Sequence, residues 1–335
     1  MKWGLIGASA IAEGRMIDAF RGNGDEVISV QSGGQARADE FAAKNGIDHA
    51  TTEIDALLAQ PGLDAVYISS TNEKHFAQAM AAIAAGKHVL CEKPLAMSLD
   101  DAVSMVRAAD AAGLVFATNH HLRNAASHRA IRDLIRQGGI GEVLSARVFH
   151  AVSLPEALRG WRIDNAGAGG GVTLDIVVHD ADTVRFHLGE SPAEVVAMSV
   201  DGRMGQGVED SVMSVWQMPS GVQVQTHESF THTHASTGIE FHGTEGSIVA
   251  RNVMTQNPNG EVLLMRRDQT PMPVAFVPED LYLRGVRSFG EAATGRGRVA
   301  ADGRDGVASL AVALAVLDAS GSGQRTVVNY GGLDV

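Results

Sequence analysis

The chain has little cysteine, few aromatic residues and no excess of positive charge. Cys91 is the only cysteine among 335 residues, so no intrachain disulfide can form and a reducing compartment is expected. The formal net charge of −12 argues against nucleic acid and anionic membranes as partners, although a local basic pocket for one phosphate remains compatible with it. No apolar run approaches the length of a membrane span. We therefore expect a cytoplasmic α/β protein long enough for two domains.

Strand-like apolar runs alternate with helical patterns over the first 119 residues. The strand-like runs cover 3–8, 26–32, 63–70, 88–92 and 114–119. Ser98 with Asp101 three residues later resembles a capping box and marks a helix start. Strand–helix alternation with short connections predicts a parallel, doubly wound Rossmann sheet, which binds ligands outside the carboxyl ends of its strands. We interpret residues 1–119 as a dinucleotide-binding domain.

The turn after the first strand, "GASAIA", is a variant of the dinucleotide fingerprint G-x-G-x-x-G/A. Gly7 permits the tight turn, and Ala12 is small enough for close packing of the helix on the strand. Ser9 replaces the second glycine and offers a hydroxyl to a pyrophosphate. Any strand–turn–helix could contain such a turn, but the units that follow it favour cofactor binding at Gly7, Ser9, Ala10, Ile11 and Ala12.

The carboxyl end of the second strand, "VQSGGQAR", carries no acidic residue. NAD-binding proteins usually place a carboxylate there to bond the ribose 2′-hydroxyl. Asp25 and Glu26 lie at the opposite end of the strand. Ser32 and Arg37 instead offer a hydroxyl and a guanidinium, which suit a 2′-phosphate. The alternative is that Arg37 is a solvated residue at a helix start. We expect NADP(H) to be preferred over NAD(H).

The stretch "HVLCEKPLAM" places a lysine and a proline directly after an apolar strand. Lys93 follows the strand at the edge of the sheet where ligands bind. Two interpretations remain open from the residues alone: a surface lysine before a loop, or a cation placed in the site.

The pattern changes after Asn119. Candidate strands follow one another at 144–152, 194–200, 211–218, 222–230, 238–242, 247–252 and 261–267. Consecutive strands without intervening helices predict a mostly antiparallel open sheet, and 303–319 has a helical pattern. We interpret residues 120–335 as an α+β domain for substrate binding and oligomerisation.

One helical segment of this second half pairs an acid with a base. Asp175 and His179 follow "GGG" and are four residues apart, so they share a helix face. A neighbouring carboxylate raises the pKa of an imidazole and orients its ring. A local helix pair without chemistry is the alternative. The other histidines show no ligand set with cysteine or spaced carboxylates, so we assign no metal.

Several segments together resemble the glucose–fructose oxidoreductase/inositol dehydrogenase (Gfo/Idh/MocA) family. They are "GLIGAS", "STNEKHFAQAMAAIAAGKHVLCEKPLAM", "TNHHLRNAASHRAIRD" and "AGGGVTLDIVVHDADTVRF". The likeness covers nearly the whole chain, and the Glu-Lys-Pro segment and the Asp-x-x-x-His helix are its specific marks. It implies a Rossmann domain followed by an α+β domain.

The resemblance also implies roles for particular residues. Lys93 would lie at the nicotinamide and the substrate, before a proline that often has a cis peptide bond. His179 would be the catalytic acid/base, and Asp175 would contact substrate or orient His179. Further contacts to the cofactor are implied for Thr71, Asn72, His75 and Glu92. Contacts to the substrate are implied for Asn119, Trp161, Arg162 and Tyr282, with a core position as the alternative for Trp161.

The implied activity is the NADPH-dependent reduction of a ketosugar. Lys93 would stabilise the developing alkoxide and His179 would protonate it. A sugar or inositol dehydrogenase that mainly oxidises is an alternative, because the same pair can accept a proton. A non-catalytic nucleotide-binding regulator is disfavoured, because the catalytic set is complete. The family also implies a homo-oligomer through the second sheet.

Overall fold

The computed structural model describes all residues, Met1–Val335. The chain divides into two units. The first unit comprises Met1–His120 with Tyr282–Val307, and the second comprises His121–Leu281 with Ala308–Val335.

The first unit is built on a six-stranded sheet in the order β3-β2-β1-β4-β5-β6. Its strands are β1 (Lys2–Ile6), β2 (Glu26–Gln31), β3 (His49–Thr51), β4 (Ala65–Ile68), β5 (His88–Cys91) and β6 (Phe116–Thr118). All neighbouring strands pair in parallel. The predicted doubly wound sheet is confirmed, and its strand order reverses between β1 and β4, where such sheets bind ligands. Strand β3 was not recognised in the sequence, because three residues are too few to show a period.

The chain also forms ten α-helices. They are α1 (Ile17–Gly22), α2 (Gln35–Asn45), α3 (Ile54–Leu58), α4 (His75–Ala84), α5 (Leu99–Ala112), α6 (Ala126–Arg136), α7 (Trp161–Asp164), α8 (Val178–Leu188), α9 (Leu281–Ala293) and α10 (Gly303–Ser322). The predicted cap of α5 is present, since the Ser98 side chain accepts the backbone N–H of Asp101 at 3.2 Å. This cap satisfies one of the N–H groups that every helix start leaves unpaired.

Residues 282–307 belong to the first unit. The sequence interpretation assigned them to the second domain. The ring of Phe289 packs on that of Trp3, with centroids 4.9 Å apart. Asp302 forms an antiparallel bridge with Ala117 of β6. Both contacts bring together residues far apart in sequence, which a local pattern does not reveal.

The second unit contains a nine-stranded sheet in the order β14-β13-β12-β11-β7-β10-β9-β8-β15. Its strands are β7 (Val143–Ala151), β8 (Glu194–Val200), β9 (Ser211–Gln217), β10 (Gln223–Ser229), β11 (Gly238–Gly243), β12 (Ser247–Arg251), β13 (Glu261–Met265), β14 (Met272–Pro273) and β15 (Thr326–Val327). Only β7 and β10 pair in parallel, so the predicted mostly antiparallel sheet is confirmed.

The two faces of this sheet differ in exposure. One face carries buried side chains such as Trp216 and Phe241, whereas Met198 on the other face is 81% exposed. This alternation follows from the two-residue period of a strand. Helix α8 lies on the buried face, because Asp180 contacts His150 of β7.

Helix α10 is long and apolar enough, by length and composition, to cross a membrane. Its most apolar window has a mean hydropathy of 1.3, and 61% of that window is buried inside the protein. This burial is typical of a core helix.

Candidate active site

The turn after β1 has room only for a glycine. Gly7 has a φ of +114°, and a Cβ there would lie 2.8 Å from the backbone nitrogen of Ser70. Its own N–H donates to the carbonyl of Gln31. Bare backbone at the start of a helix is what a dinucleotide pyrophosphate requires, so the turn fits the group predicted from the fingerprint.

The hydroxyl of Ser9 is engaged within the protein. It donates to the Ser69 hydroxyl at 2.7 Å and accepts the backbone N–H of Ala12 at 3.2 Å. Ser9 thus joins the ends of β1 and β4. Ala12 is fully buried, as close packing demands, while Ala10 is exposed and Ile11 half-buried at the helix start.

The helix after this turn begins with a π-helical segment, Ala12–Met16, and continues as α1. Such turns are rare and frequently occur at functional sites. Nothing in the sequence pattern marks this segment, because its residues also suit an α-helix.

Arg37 reaches the same turn from α2. Its side-chain Nη2 donates to the carbonyl of Ala8 at 2.6 Å. Ser32, directly after β2, is buried, and its N–H donates to the carbonyl of Thr51. The guanidinium that the sequence singled out therefore lies beside the fingerprint turn.

His75 lies beneath the turn that follows Lys93. Its ring is fully buried, with Nδ1 2.8 Å from the carbonyl oxygen of Pro94 and Nε2 3.2 Å from that of Ser70. Burial lowers the pKa of His75, so the ring is neutral and its single N–H can serve one carbonyl. In this structure His75 exposes no surface to a ligand and instead supports the turn.

Thr71 and Asn72 precede α4 at the end of the same loop. The Thr71 hydroxyl donates to Glu73 at 2.6 Å, and Asn72 is 5% exposed. The Lys93–Pro94 peptide bond is cis, as the resemblance implied, and Lys93 is half-buried. The structure thus brings these loop residues to the carboxyl ends of β4 and β5.

Glu92 is the half-buried centre of a polar cluster. Its Oε1 accepts the Tyr67 hydroxyl at 2.5 Å and the Asn119 amide at 2.6 Å. Burial, reinforced by the charge of Glu92, raises the pKa of Tyr67 well above its usual range, and the nearby Tyr282 adds to this rise. Tyr67 therefore stays a hydroxyl donor at physiological pH.

This cluster unites predicted residues with one that the sequence analysis missed. Glu92, Asn119 and Tyr282 were expected at the site, but Tyr67 lies within the apolar run "AVYI" and resembled a core residue. The carboxyl ends of β4 and β5 are neighbours, which is the signal that could have identified it.

In the second unit, Arg162 links two other predicted residues. Its guanidinium lies over the Trp161 ring, 4.6 Å from the centroid, and its Nε is 3.5 Å from Oδ1 of Asp175. Trp161 is half-buried. The arrangement offers an aromatic face, a cation and a carboxylate, which are groups suited to a polyhydroxylated ligand.

The triple glycine before Asp175 is held by two neighbours. Gly171 has a φ of +108°, and a Cβ there would lie 2.5 Å from Oε1 of Glu209. The same Oε1 accepts the N–H of Thr173 at 3.0 Å, and the N–H of Gly171 donates to the carbonyl of Arg162. Glu209 thus fixes the start of the Asp175 segment, a role that no sequence signal indicated.

Asp175 and His179 belong to two kinds of helix. A π-helical segment, Thr173–Val177, carries Asp175, and α8 carries His179. The His179 ring lies edge to face with His121, with centroids 5.0 Å apart, and its centroid is 6.5 Å from that of His150. The sequence analysis missed His121 and His150, because they come from separate elements.

Asp182, three residues after His179, pairs with a largely buried arginine. The Nε of Arg123 donates to Oδ2 of Asp182 at 2.8 Å, its Nη2 lies 2.7 Å from Oδ1, and the two side chains are 9% and 1% exposed. In the structure as a whole, no three His, Cys, Asp or Glu side chains form a group able to hold a metal ion.

Comparisons with known proteins agree with this geometry. Residues 1–120 match the family model described as "Oxidoreductase family, NAD-binding Rossmann fold", and residues 128–249 match "GFO/IDH/MocA C-terminal domain". The fold and the fingerprint turn define a dinucleotide-binding oxidoreductase. The chain belongs to the Gfo/Idh/MocA family.

Relatives of known name include sugar oxidoreductases. The chain is 52% identical over 331 residues to 1,5-anhydro-D-fructose reductase of Ensifer adhaerens, covering 98% of this chain and 99% of that protein. It is 30% identical over 293 residues to D-xylose 1-dehydrogenase (NADP(+)) 2 of Haloferax volcanii, covering 87% and 89%. Among solved structures, aldose–aldose oxidoreductase of Caulobacter crescentus superposes with a TM-score of 0.89 at 22% identity, covering 98% and 99%.

Proposed function

We propose that the protein reduces 1,5-anhydro-D-fructose to 1,5-anhydro-D-mannitol with NADPH. The observation that carries this proposal is the 52% identity with a 1,5-anhydro-D-fructose reductase over nearly the full length of both chains. The presence of Lys93, Asp175 and His179 supports it, because these residues supply a cation and an acid for the carbonyl oxygen.

The NADPH preference is supported by Arg37 and Ser32. Gly7, Ser9, Ala10, Ile11 and Ala12 would hold the pyrophosphate, and Thr71, Asn72 and Glu92 would line the remainder of the cofactor. The Arg37 guanidinium, placed beside the fingerprint turn by its bond to Ala8, would pair with a 2′-phosphate. When bound, the cofactor supplies the hydride.

The proton chemistry would be performed by Lys93 and His179. Lys93 stabilises negative charge on the carbonyl oxygen, and His179 gives its proton to that oxygen. Asp175, paired with Arg162, orients the substrate or His179. A placed acid is worth about 10²–10⁴-fold in rate.

A sugar substrate needs hydrogen-bond partners for its hydroxyls and an apolar side chain to cover its C–H face. Asn119, Arg162 and Tyr282 would bind hydroxyls, and the Trp161 ring would cover the C–H face of the sugar. The position of Arg162 supports this arrangement, because its guanidinium lies over the Trp161 ring and also pairs with the carboxylate of Asp175.

The oxidative direction is the second candidate. The 30% identity with a D-xylose 1-dehydrogenase favours it over any other alternative, since Lys93 and His179 can serve either direction. A non-catalytic regulator would need no such pair.

The remaining proposals concern environment and assembly. The single cysteine and the sugar-metabolising relatives support a cytoplasmic location.

The apolar side chains exposed on β8 and β9, among them Met198, Met213 and Val200, support a second copy of this chain as the partner of that sheet face. Light scattering on the eluted protein should give at least a dimer mass, and a monomer mass at high concentration would contradict this pairing.

The first experiment measures the initial rate of nicotinamide oxidation with 1,5-anhydro-D-fructose. NADPH and NADH are compared for the wild type, Arg37→Ala and the control Arg107→Ala, which changes an exposed arginine of α5. We expect turnover with NADPH to exceed that with NADH. Arg37→Ala should reduce this preference about 10–100-fold, the range expected for lost hydrogen bonds to a charged group.

The possible results separate the parts of the proposal. Equal rates with both cofactors in the wild type would contradict the role of Ser32 and Arg37. Faster oxidation of a sugar alcohol with NADP⁺ than reduction of any ketosugar would favour the dehydrogenase. NADPH binding without turnover in either direction would favour a regulator.

A further inference from the structure

Two carboxyl groups lie together beneath the helix that carries His179. Asp180 of α8 and Glu228 of β10 are both fully buried, at 0% exposure. Glu228 lies directly opposite His150 in the parallel pairing of β10 with β7, and Asp180 contacts that same histidine, so both carboxyl groups lie at one imidazole. Nothing in the proposed mechanism uses this pair.

Only one oxygen atom of each carboxyl group has a hydrogen-bond partner. Oδ1 of Asp180 is 2.7 Å from Nδ1 of His150, and Oε2 of Glu228 accepts the Thr226 hydroxyl at 3.2 Å. Oδ2 of Asp180 and Oε1 of Glu228 have no hydrogen-bond donor. An ionised carboxylate only accepts hydrogen bonds, so two facing carboxylates would leave both oxygens unsatisfied. A single proton between them satisfies both.

The electrostatic setting agrees with one retained proton. Burial raises the pKa of Asp180 well above its usual range. Burial, with the charge of Asp180, likewise raises the pKa of Glu228, which the Thr226 bond and the charge of His150 oppose. Because the groups are coupled, the proton belongs to the pair.

A single negative charge on this pair balances one positive charge on His150. The His150 side chain is 12% exposed, and its Nδ1 lies 2.7 Å from Oδ1 of Asp180, so the two groups form an ion pair when the imidazole is protonated. Buried charges persist only when they are paired and hydrogen-bonded. The cluster of imidazolium, carboxylate and carboxylic acid is then neutral overall.

His150 connects this cluster to His179. The two ring centroids are 6.5 Å apart, and Asp180 follows His179 directly in the helix. A cation beside an imidazole disfavours protonation of that imidazole. His121 contacts the His179 ring, and His128 interacts electrostatically with His150 and with Asp182. Of the charged groups on the neighbouring helical turns, Asp182 pairs with Arg123 and Asp175 pairs with Arg162.

We propose that Asp180 and Glu228 share one proton, and that the remaining charge of the pair holds His150 as an imidazolium beside His179, which makes His179 a readier proton donor. Asp180, Glu228 and His150 are positioning residues, because they act through His179. The shared proton stands on its own, whereas its use in catalysis rests on the proposed function.

Infrared spectroscopy tests the shared proton without any turnover. The wild type at pH 7 should show the carbonyl absorption of one buried, protonated carboxyl group. Glu228→Gln should lose this absorption, because the Gln amide can donate to Oδ2 of Asp180 and replace the proton. The matched control is Glu240→Gln on β11, where the carboxylate pairs with Arg147, and it should keep the absorption. No such absorption in the wild type, or its survival in Glu228→Gln, would overturn the shared proton.

The effect on His179 is read from the NMR titration of its imidazole. Asp180→Asn removes the counter-ion of His150, so His150 becomes neutral and the titration of His179 should move upward by about 0.5–2 pH units. This is the range that Coulomb's law gives for two charges at the observed 6.5 Å with an effective dielectric constant of about 80 to 20. His150→Gln should give the same shift, and the double variant no further shift.

Asp133→Asn, an exposed aspartate of α6, is the control for this titration. If Asp180→Asn does not fold, His150→Gln decides the point. An unchanged His179 titration in the folded variants would overturn the positioning role. A wild type that shows both spectroscopic effects but reduces no ketosugar would overturn the proposed function and leave the proton cluster established.

Discussion

In the first unit the carboxylate of Glu92 accepts hydrogen bonds from Tyr67 and Asn119, whereas in the second unit Asp180 and Glu228 face each other. The first arrangement supplies donors to a carboxylate. The second supplies too few, since two buried oxygens have none. The comparison indicates that the inferred shared proton replaces donors that the surroundings of Asp180 and Glu228 do not supply.

The two units also differ in the chemistry that they bring to the proposed reaction. The first supplies bare backbone at Gly7, the Arg37 guanidinium and a lysine after β5. The second supplies imidazoles, with His121 and His150 around His179. The groups proposed to hold the cofactor thus lie in the first unit and the imidazoles in the second, so variants should separate cofactor binding from proton transfer.

The largest expected effect concerns His179→Ala. Turnover with the ketosugar should fall about 10²–10⁴-fold, because the acid is lost. NADPH affinity, measured by fluorescence titration, should stay near the wild-type value, since the residues proposed to hold the cofactor lie in the first unit. His234→Ala changes an exposed histidine of the second unit and should alter neither quantity. Equal losses of turnover and affinity in His179→Ala would refute the division between units.

A smaller effect is expected when the two carboxyl clusters are compared directly. Tyr67→Phe removes one donor from Glu92 and should lower the free energy of unfolding by about 1–3 kcal/mol. Glu228→Gln should lower it less at pH 7, because the amide replaces the shared proton. Urea unfolding of both variants measures the difference. A larger loss of unfolding free energy in Glu228→Gln than in Tyr67→Phe would contradict the shared proton.

The pH dependence of the second cluster has a defined sign. The folded pKa values of Asp180 and Glu228 are raised, so the folded state retains a proton that the unfolded state releases above about pH 4. The contribution of the pair to stability therefore decreases as the pH rises toward the folded pKa. Glu228→Gln should weaken this dependence.

The smallest expected effect concerns two buried histidines of the second unit. Nδ1 of His128 lies 3.0 Å from Nε2 of His187, and burial lowers the pKa of His128 to about 4 and that of His187 well below its usual range. Unfolded histidine titrates near pH 6.5, so below that pH the unfolded state binds more protons and the free energy of unfolding decreases. We expect a loss of about 1 kcal/mol between pH 6.5 and 5.5 from His128 alone, because the unfolded histidine goes from half to almost fully protonated over this range.

Urea unfolding at these two pH values measures this loss. His128→Gln should reduce the pH dependence, whereas His242→Gln, which changes a half-exposed histidine of β11, should retain it. A wild type whose stability is the same at both pH values would contradict the assignment of neutral, buried imidazoles.

The sequence predicted the first unit better than the site in the second. Strand bounds in the first sheet were within a few residues, and Gly7 and the Lys93–Pro94 turn depend on local chain geometry that short motifs encode. The link from Arg162 to Asp175 and the approach of His121 and His150 to His179 join distant elements. Periodicity reports which face of an element is buried and cannot report which element covers it.

The two π-helical segments illustrate the same limit. Ala12–Met16 and Thr173–Val177 each precede an α-helix, and each lies beside predicted site residues. Their sequences suit an ordinary α-helix, so local propensity gave no reason to expect a wider turn. The wider turns arise within the folded units, as other irregularities at functional sites do.

Strand β7 has a consequence for how the chain must fold. It lies between β10 and β11, and neither partner is adjacent to it in sequence. During synthesis both of its edges therefore stay unpaired until residue 229, the last of β10, has emerged. A sheet whose central strand pairs only with strands distant in sequence folds slowly. Until it has paired, its unpaired strand edges can aggregate. The second unit is thus the part of the nascent chain that most needs protection from aggregation.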